Sequence, residues 1–400
     1  MLLFLVLTLA GFALREGFLV ALGSMGVLSI SISWVWYRLC LENLSYGREL
    51  SQGRAFPGEQ LEFTVELHNA KPLPLPRVRV EDQFPEGVEL VDGTLAITSS
   101  PNVFNLSHST SLGWYETIQW RYHIRCRRRG YFRFGASRLH SSDLFGFFTA
   151  TYEDPAVAHL LVYPQVIPLP ELGLPAKRPF GDLRSKSWLF KDVAWPAGTR
   201  DYQPGDPMKQ VDWKATARSQ TPKVREFGST VSHSLAIVLN LDTLGVGWRG
   251  YSSVHLERAV SVAASIAHDA FAQNHSVGLF TNGTSVFYER PMSVPPARDR
   301  QQYTLIFETL AMVGPYLSGP IEDVLFSHRT RLPFGSTITL VTAALPSNLT
   351  KALQELQQSG YGVTVLYVNE EPANAPIPEN IAFYDVSGYL AARESSNDRH

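Results

Sequence analysis

The first 37 residues constrain the fold most, because they are too apolar to lie exposed in water. Met1–Leu14 has no charged side chain, and after Arg15 and Glu16 the stretch Gly17–Tyr37 again has none. As a helix, the 21 residues of the second stretch would extend roughly 31 Å, enough to cross a hydrocarbon core of roughly 30 Å. The sequence therefore predicts a transmembrane helix here.

The shorter first stretch predicts that residues 1–40 form a transmembrane helical hairpin. At roughly 21 Å, this stretch would cross less of the bilayer than the second. A single span and a cleaved signal peptide are the alternatives, but no basic region precedes the apolar run and a second apolar stretch follows at once. The aromatic cluster from Trp34 to Tyr37, followed by Arg38, is typical of the cytoplasmic interface. We expect a multi-pass protein of the inner (plasma) membrane with its soluble domains in the cytoplasm.

Residues 48–165 show the two-residue periodicity of half-buried strands. Leu61–Leu67 alternates apolar and polar residues, and clusters of Gly, Pro, Asn and Ser separate further short runs. This pattern predicts an antiparallel, immunoglobulin-like β-sandwich. Within it, we expect Ser142–Phe148 to pack its aromatic side chains against the sheets. The basic run Arg125–Arg129 has no exposed aromatic run beside it, so nucleic acid is not an expected partner.

The C-terminal part of the chain predicts a doubly wound α/β domain over residues 231–385. A proline-rich linker is expected before it, over residues 166–198. Ser234–Asp242 is a continuous aliphatic run, which is typical of a parallel strand covered by helices on both faces. An apolar helical stripe follows at Val254–Gln273, and strands then alternate with helices as far as Val368.

Two local features complete this domain. Asn282 and Gly283 are expected to form a hairpin turn, because this dipeptide favours the turn that joins antiparallel strands. The polar stretch over residues 386–400 is expected to be a disordered tail.

Residues 199–230, the signature segment, hold the densest mixture of charged and aromatic side chains in the chain. The residues that stand out are Arg200, Tyr202, Gly205, Asp206, Asp212, Trp213, Lys214, Arg218 and Arg225. Asp206 and Pro207 are expected to begin a short helix, with Asp206 as its N-cap. Trp213 is expected to be buried against the α/β domain. An ion-pair network is expected among Arg200, Asp212, Arg218 and Arg225. The other interpretation is a docking surface, since Arg, Trp and Tyr are common interface anchors.

These residues resemble the signature of a known family. The motifs are Arg200-x-Tyr202-x-x-Gly205-Asp206, then Asp212-Trp213-Lys214-x-x-Ala217-Arg218, then Val224-Arg225-Glu226. They resemble those of bacterial and archaeal proteins carrying the domain of unknown function 58, DUF58. The resemblance implies two N-terminal membrane segments, a β-rich region and a C-terminal domain like a von Willebrand factor A module. It also implies a partner, an AAA+ ATPase of the MoxR type, rather than an enzymatic reaction.

A von Willebrand factor A module often holds Mg²⁺ through an Asp-x-Ser-x-Ser loop, and this chain departs from that pattern. The loop begins at Asp242, but Leu244 and Val246 occupy the two serine positions. After a later strand, Thr342 is followed by Ala343 rather than by an aspartate. Hard cations need several oxygen ligands, so we expect no metal and no other cofactor, and Asp242 is expected to be a degenerate metal-site position.

The sequence also lacks the short motifs of common enzyme classes, such as Gly-x-Ser-x-Gly, His-Glu-x-x-His and the Walker loop. We therefore expect a non-enzymatic, membrane-anchored binding or scaffold protein that acts through protein contacts. An extracytoplasmic, adhesin-like protein of the cell envelope and a divalent-cation-dependent ligand binder are the alternatives.

Overall fold

The computed structural model divides the 400-residue chain into two compact units, Met1–Pro164 and Gln165–His400. The structure describes residues 1–98, 103–175, 196–203, 206–227, 234–245, 250–285, 291–333, 335–373, 375–378 and 380–397. Each unit has a hydrophobic core of its own.

The first unit begins with two apolar helices, α1 (Leu2–Leu14) and α2 (Gly17–Leu39). Within the described residues, α2 is the one helix that is both long and apolar enough to cross a membrane. Its 23 residues correspond to roughly 35 Å. The 13 residues of α1 reach only roughly 20 Å. The structure thus supports one span, and the predicted second crossing has no such support.

The two helices pack closely because glycine residues line their contact. A Cβ atom at Gly23 would collide with Thr8, and one at Gly26 would collide with the ring of Phe4. A Cβ atom at Gly11 would lie 2.7 Å from the backbone nitrogen of Val20. Small residues that let backbones approach closely are the usual means by which helices associate in lipid.

The rest of the first unit consists of short strands. They are β1 (Leu44–Leu50), β2 (Arg54–Ala55), β3 (Gln60–Asn69), β4 (Leu75–Pro85), β5 (Val88–Leu90), β6 (Ala96–Ile97), β7 (Val103–Leu112), β8 (Thr117–Cys126), β9 (Gly130–Phe134), β10 (Ser137–Ser142), β11 (Thr149–Asp154) and β12 (Ala158–Val162). The two larger sheets have the orders β1-β3-β8-β5 and β11-β10-β4-β7-β6, and both are antiparallel. A smaller sheet has the order β2-β12-β9.

Alternate residues of the two larger sheets share one core, as the two-residue periodicity predicted. Phe63 and Val65 on β3 and Val78 and Val80 on β4 are fully buried in the same cluster. Their neighbours along each strand are mostly exposed or half-buried. Two antiparallel sheets thus share one core, which confirms the expected antiparallel sandwich as an arrangement of two layers.

A buried ion pair crosses this core. Arg48 Nε donates to both carboxylate oxygens of Asp82, at 2.8 and 2.9 Å, and both side chains are 2% exposed. The hydroxyl of Tyr46 donates to the same carboxylate at 2.9 Å, and Arg48 Nη1 donates to the carbonyl oxygen of Ala156. Since β1 and β4 lie in different sheets, the pair joins the two layers.

Lys71 fixes the end of α2 to the sandwich. This lysine is buried, and its Nζ atom donates at 2.6 Å to the carbonyl oxygen of Cys40, the C-cap residue of α2, and also to that of Glu42. Burial lowers the pKa of Lys71. The last carbonyl groups of a helix have no partner within it, so this cation satisfies them where α2 joins the first strand.

The second unit contains the signature segment and an α/β region. Its strands are β13 (Pro196–Asp201), β14 (Lys223–Phe227), β15 (Ser234–Leu239), β16 (Ser276–Ser285), β17 (Pro291–Ala297), β18 (Val313–Leu317), β19 (Thr337–Thr342), β20 (Gly362–Tyr367) and β21 (Ala382–Asp385). Its helices are α3 (Trp213–Ser219), α4 (Ser253–Ala272), α5 (Arg300–Met312), α6 (Ile321–His328), α7 (Ser347–Gln358) and α8 (Ser387–Asn397). Single 3-10 turns lie at Leu169–Leu172, Met208–Gln210 and Arg329–Arg331.

The α/β region is built on a largely parallel sheet. The order is β17-β16-β15-β19-β20-β21, parallel from β16 to β21, with β17 and β18 antiparallel to β16. Every residue of β15 and β19 is buried, as the continuous aliphatic run predicted for β15. Residues of α6 and α7 share a core with alternate residues of these strands, and α4 contacts the same strands.

Three sequence-based expectations outside the signature segment differ from the structure. Asn282 and Gly283 do not form a turn, because β16 continues through them to Ser285. The linker expected over residues 166–198 is packed at its start, where Leu169 and Leu172 are buried and the backbone nitrogen of Ile167 donates to Ser265, and its residues 176–195 lie outside the described residues. The expected disordered tail is the helix α8 as far as Asn397.

Helix α8 is held by ion pairs that a local reading of the sequence could not supply. Arg258 on α4 is 7% exposed and binds both carboxylate oxygens of Glu394, at 2.6 and 2.9 Å. It also donates to Glu370 at 3.0 Å. Arg393 pairs with Glu171, which belongs to the packed start of the expected linker.

The buried pair of Arg48 predicts a large loss of stability on Arg48→Met. Removing one partner leaves Asp82 buried without its cation, which costs about 3–5 kcal/mol. The matched control is Arg138→Met, because Arg138 pairs with Glu153 on the surface, where both side chains are over 60% exposed and the expected loss is about 0–1 kcal/mol. Urea unfolding of both variants measures the difference, and equal losses would contradict the role given to Arg48.

Candidate functional site

The described part of the signature segment folds as a β-hairpin with a long excursion between its strands. β13 pairs with β14 in antiparallel register, Arg200 opposite Val224 and Asp201 opposite Lys223. Val211 returns from the excursion to bridge Val224, and both valines are buried. The excursion is therefore held against the strand it leads to.

Asp206 fixes the first turn of the excursion. Its carboxylate accepts two hydrogen bonds from Arg200, at 2.6 and 2.7 Å, and one from the backbone nitrogen of Gln203 at 2.9 Å. Its side chain is 16% exposed. The two-pronged geometry is the strongest arrangement that an arginine makes with a carboxylate. The prediction that Asp206 caps the helix is wrong, because the carboxylate is already used by Arg200.

Asp212 is the residue that caps helix α3. Its Oδ1 atom accepts from the backbone nitrogens of Lys214 and Ala215, both at 3.0 Å. Its own backbone nitrogen donates to the carbonyl oxygen of Lys223 at 2.8 Å, which ties the start of α3 to β14. The side chain of Arg225 lies outside the described residues, so the ion-pair network expected among Arg200, Asp212, Arg218 and Arg225 stays a prediction.

Two large apolar side chains of the excursion, those of Trp213 and Met208, point into solvent. Trp213 is 66% exposed and Met208 is 64% exposed. The prediction that Trp213 is buried is therefore wrong. Exposed tryptophan is unusual on a surface without a partner, because burying an aromatic side chain yields more free energy than almost any other contact.

Exposed cations lie close to these apolar side chains in the sequence. Lys209, Lys214 and Arg218 are all exposed. Lys214 and Arg218 are four residues apart on α3, so they lie on the same helical face. Like charges at this spacing repel, and the stability of the helix does not explain them. Over residues 199–227, six Lys and Arg residues stand against four Asp and Glu residues, a net charge of +2 in a chain of net charge −2.

The remaining signature residues are placed only in part. Tyr202 is half-buried, and its backbone nitrogen donates to the carbonyl oxygen of Pro222 at 2.9 Å. Arg225 lies on β14 opposite Thr199. Gly205 lies outside the described residues.

A second polar group lies where the central strands of the parallel sheet end. Asn240 follows β15 and donates to the hydroxyl of Thr342 at 3.0 Å, and Asn282 donates to the amide oxygen of Asn240 at 3.0 Å. Asn282 also accepts from the backbone nitrogen of Leu241 at 2.9 Å. These three polar side chains are buried. They satisfy one another and the surrounding backbone.

Asp242 is adjacent to this group and also bonds locally. Its Oδ1 atom accepts from the backbone nitrogen of Leu244, and its own backbone nitrogen donates to Asn240. Thr342 also accepts from the backbone nitrogen of Ala344 at 3.2 Å. Among the residues that the structure describes, no three His, Cys, Asp or Glu side chains come together as a metal site would need. The oxygen atoms at this edge are mostly engaged with backbone and amide groups.

The amide pair of Asn240 and Asn282 was missed by sequence reasoning. The available signal was a polar amide inside or directly after an aliphatic strand, since a buried amide must find partners. Asn282 was instead assigned to a turn because of the glycine that follows it.

Comparison with known proteins supports the resemblance inferred from the motifs. Residues 198–379 match the family model described as protein of unknown function DUF58. The chain is also 26% identical over 352 residues to the uncharacterized protein YeaD of Bacillus subtilis (strain 168), covering 85% of this chain and 80% of the relative. The matched DUF58 region begins in the signature segment and includes the parallel sheet as far as residue 379.

Solved structures resemble only part of the chain, and weakly. The CARDB domain of the PF1109 protein from Pyrococcus furiosus, crystallised with di-metal ions, is 12% identical, covering 30% of this chain and 91% of that one with a TM-score of 0.21. The sporulation control protein Spo0M from Bacillus subtilis is 15% identical, covering 30% and 50% with a TM-score of 0.19. Similarities of this size carry no information about function.

The Arg200–Asp206 pair predicts a local loss of stability on Asp206→Ala. The variant removes both arginine bonds and the partner of the Gln203 amide, and bonds to charged groups contribute about 1.5–3 kcal/mol. The Gln203 amide should then exchange its hydrogen roughly tenfold faster or more. The control is Asp201→Ala, because Asp201 is 76% exposed and its carboxylate pairs with Lys223. Similar exchange rates in both variants would contradict the role of Asp206.

The strand-end group predicts that Mg²⁺ does not stabilise the protein. Thermal unfolding should give the same midpoint with Mg²⁺ and with a chelator, and Asp242→Ala should leave that insensitivity unchanged. Asn282→Ala should lower the midpoint, because the buried Leu241 amide loses its acceptor at a cost of about 1–3 kcal/mol. A midpoint that rises with Mg²⁺ and loses that rise in Asp242→Ala would instead revive the cation-dependent binder.

Proposed function

We propose that this chain is a membrane-anchored, non-enzymatic binding protein whose signature segment docks a partner protein. The observation that carries the proposal is the exposure of Trp213 and Met208 on a segment fixed by its own polar bonds. Tryptophan, methionine and arginine are enriched at protein interfaces, and tryptophan and arginine are the commonest energetic anchors.

The rigidity of the segment favours binding. The carboxylates of Asp206 and Asp212 are used inside the segment, so the surface is formed before a partner arrives. A pre-formed surface loses less conformational entropy on association than a flexible one. The exposed cations favour a partner that presents acidic side chains around an apolar pocket, since complementary charges speed encounter and exclude wrong partners.

The partner we propose is an AAA+ ATPase of the MoxR type. Its support is the family resemblance carried by the signature motifs, together with the DUF58 match to residues 198–379. We further propose that the parallel sheet of the second unit is a doubly wound domain like a von Willebrand factor A module, without its metal. The strand order and the internal bonding of Asn240, Asn282 and Thr342 support this reading.

The anchor we propose is the helix pair α1–α2, with α1 entering the bilayer alongside α2. The support is the length of α2, the exposed apolar side chains of both helices and the close glycine contacts between them. The position of Arg38 at the end of α2 supports a cytoplasmic location for the soluble part.

Co-purification tests the docking proposal. The full-length tagged chain is solubilised from its membranes in detergent, with ATP, with a non-hydrolysable analogue and without nucleotide. We expect a MoxR-type ATPase to be recovered, and recovering none under any of the three conditions would contradict the proposal.

The purified ATPase then allows the surface itself to be tested by titration. Trp213→Ala should weaken binding by about 2 kcal/mol or more, roughly thirtyfold in Kd. The matched control is Tyr316→Ala, since Tyr316 is 73% exposed in the same unit but outside the signature segment. Equal affinities for both variants would place the contact elsewhere.

A separate measurement is needed to establish on which side of the membrane the soluble domains lie. Cys126 is fully buried, so an impermeant thiol reagent should be applied to a variant with an exposed cysteine, Ile97→Cys. Protection in intact cells and labelling after lysis are expected. Labelling in intact cells would favour the extracytoplasmic adhesin-like alternative.

A further inference from the structure

The loop between β10 and β11 exposes apolar side chains next to α2, where the sequence predicted packed ones. Leu144, Phe145 and Phe147 are 54%, 56% and 59% exposed. The rings of Phe145 and Phe147 stack with their centroids 5.8 Å apart. The expectation that this loop packs its aromatic side chains on the sandwich is therefore wrong for Phe145 and Phe147.

Hydrogen bonds to Asp143 hold the loop in its conformation. Asp143 is buried, and its carboxylate accepts from the backbone nitrogens of Phe148 at 2.7 Å and Phe145 at 3.1 Å. Gly146 takes a positive φ of 76°, which lets the chain reverse at the tip. Burial opposes ionisation of Asp143, but these backbone bonds outweigh it and the pKa of the carboxyl is lowered. The apolar tip is thus a built feature.

Contacts on the other side of the loop place it along α2. The ring of Phe148, the last residue of the loop, lies 5.8 Å from that of Tyr37. Ser33 is 1% exposed although most of its helix is open to the surroundings. Ser33 precedes the last residue of α2, Leu39, by six positions, which corresponds to roughly 9 Å along the helix.

The exposed aromatic residues of α2 lie at this same level along the helix. Trp34 is 51% exposed and Tyr37 is 36% exposed, and Arg38 lies over the Trp34 ring at 5.1 Å. Amphipathic aromatic rings concentrate at the boundary between acyl chains and headgroups. A loop that touches Tyr37 cannot avoid that boundary if α2 crosses a bilayer.

We propose that Leu144, Phe145 and Phe147 insert into the interfacial layer of the same phospholipid leaflet from which α2 emerges. The occupant of this apolar tip is lipid, because the tip continues the exposed apolar surface of α2. Exposed aromatic and aliphatic side chains bind membrane surfaces by inserting into this interfacial layer. The proposal rests on the proposed membrane anchor.

The second attachment has a mechanical consequence. A helix alone leaves a soluble domain free to rotate about its axis, whereas a helix and a loop fix its orientation. Lys71 already joins the end of α2 to the sandwich. With the loop inserted, the β11 edge of the sheet faces the membrane and the β6 edge, at the other end of the strand order, faces away.

Depth-dependent fluorescence quenching tests this in the full chain reconstituted in phosphatidylcholine–phosphatidylglycerol vesicles. An environment-sensitive fluorophore is attached to Phe145→Cys, and lipids carrying a nitroxide near the headgroup or deep in the acyl chain serve as quenchers. Leu28→Cys on α2, 62% exposed, reports the anchor itself, and Ile97→Cys on β6, 88% exposed, is the control facing away. The chain without an introduced cysteine gives the background, since Cys40 and Cys126 are buried.

The expected result is strong deep quenching at Leu28→Cys, shallow quenching of roughly half the emission at Phe145→Cys, and background quenching at Ile97→Cys. Quenching at Leu28→Cys with none at Phe145→Cys would overturn the loop proposal and leave the anchor standing. No quenching at Leu28→Cys would overturn both. If the fluorophore at Phe145→Cys escapes quenching at high protein density and is quenched only when the protein is diluted with more lipid, a second copy of the chain covers the tip. That result would also overturn the proposal.

Discussion

The ion pair between Arg200 and Asp206 determines what the signature segment can present to its surroundings. It engages the carboxylate of Asp206 internally, and with the Asp212 cap it leaves the backbone of the excursion little freedom. The exposed side chains of the excursion include the apolar Trp213 and Met208 and the cations Lys209, Lys214 and Arg218. Trp213 faces solvent on a fixed support, and that arrangement suits recognition better than chemistry.

Polar side chains are also engaged internally at the ends of the parallel strands. Asn240, Asn282 and Thr342 bind one another and the neighbouring backbone, so the edge at which an α/β sheet usually holds a ligand is occupied by its own amides. In the first unit, the buried contacts of Arg48 and Lys71 serve a different purpose. They join the sandwich layers to each other and to the end of α2, which gives the anchor a rigid connection.

Much of the layered architecture could be predicted from sequence because burial leaves a periodic trace. The alternation in Leu61–Leu67 and the aliphatic run at β15 correspond to strands, and the apolar stripe after Val254 corresponds to α4. These patterns arise from which faces meet a core, and a core is a property of the whole segment. Their bounds agree with the structure to within a few residues.

The site was less predictable, because it depends on which of several chemically equivalent partners are near in space. Asp206 and Asp212 both precede a possible helix start, and only the position of Arg200 on β13 assigns Asp206 to a different task. Tryptophan is a large apolar residue of the kind found in cores, and nothing in the neighbouring sequence indicates that α3 directs Trp213 outward. Helix α8 was taken for a tail because its ion pair is made with Arg258, 136 positions away in sequence.

Photo-crosslinking from position 213 tests the central claim most directly. A photoreactive amino acid replaces Trp213 in the full-length chain in its own membrane, and the crosslinked products are identified by mass spectrometry. The account predicts crosslinks to an AAA+ ATPase, which disappear when the probe is moved to the exposed Tyr316. Crosslinks confined to lipid or to the same chain, with none to another protein, would contradict it.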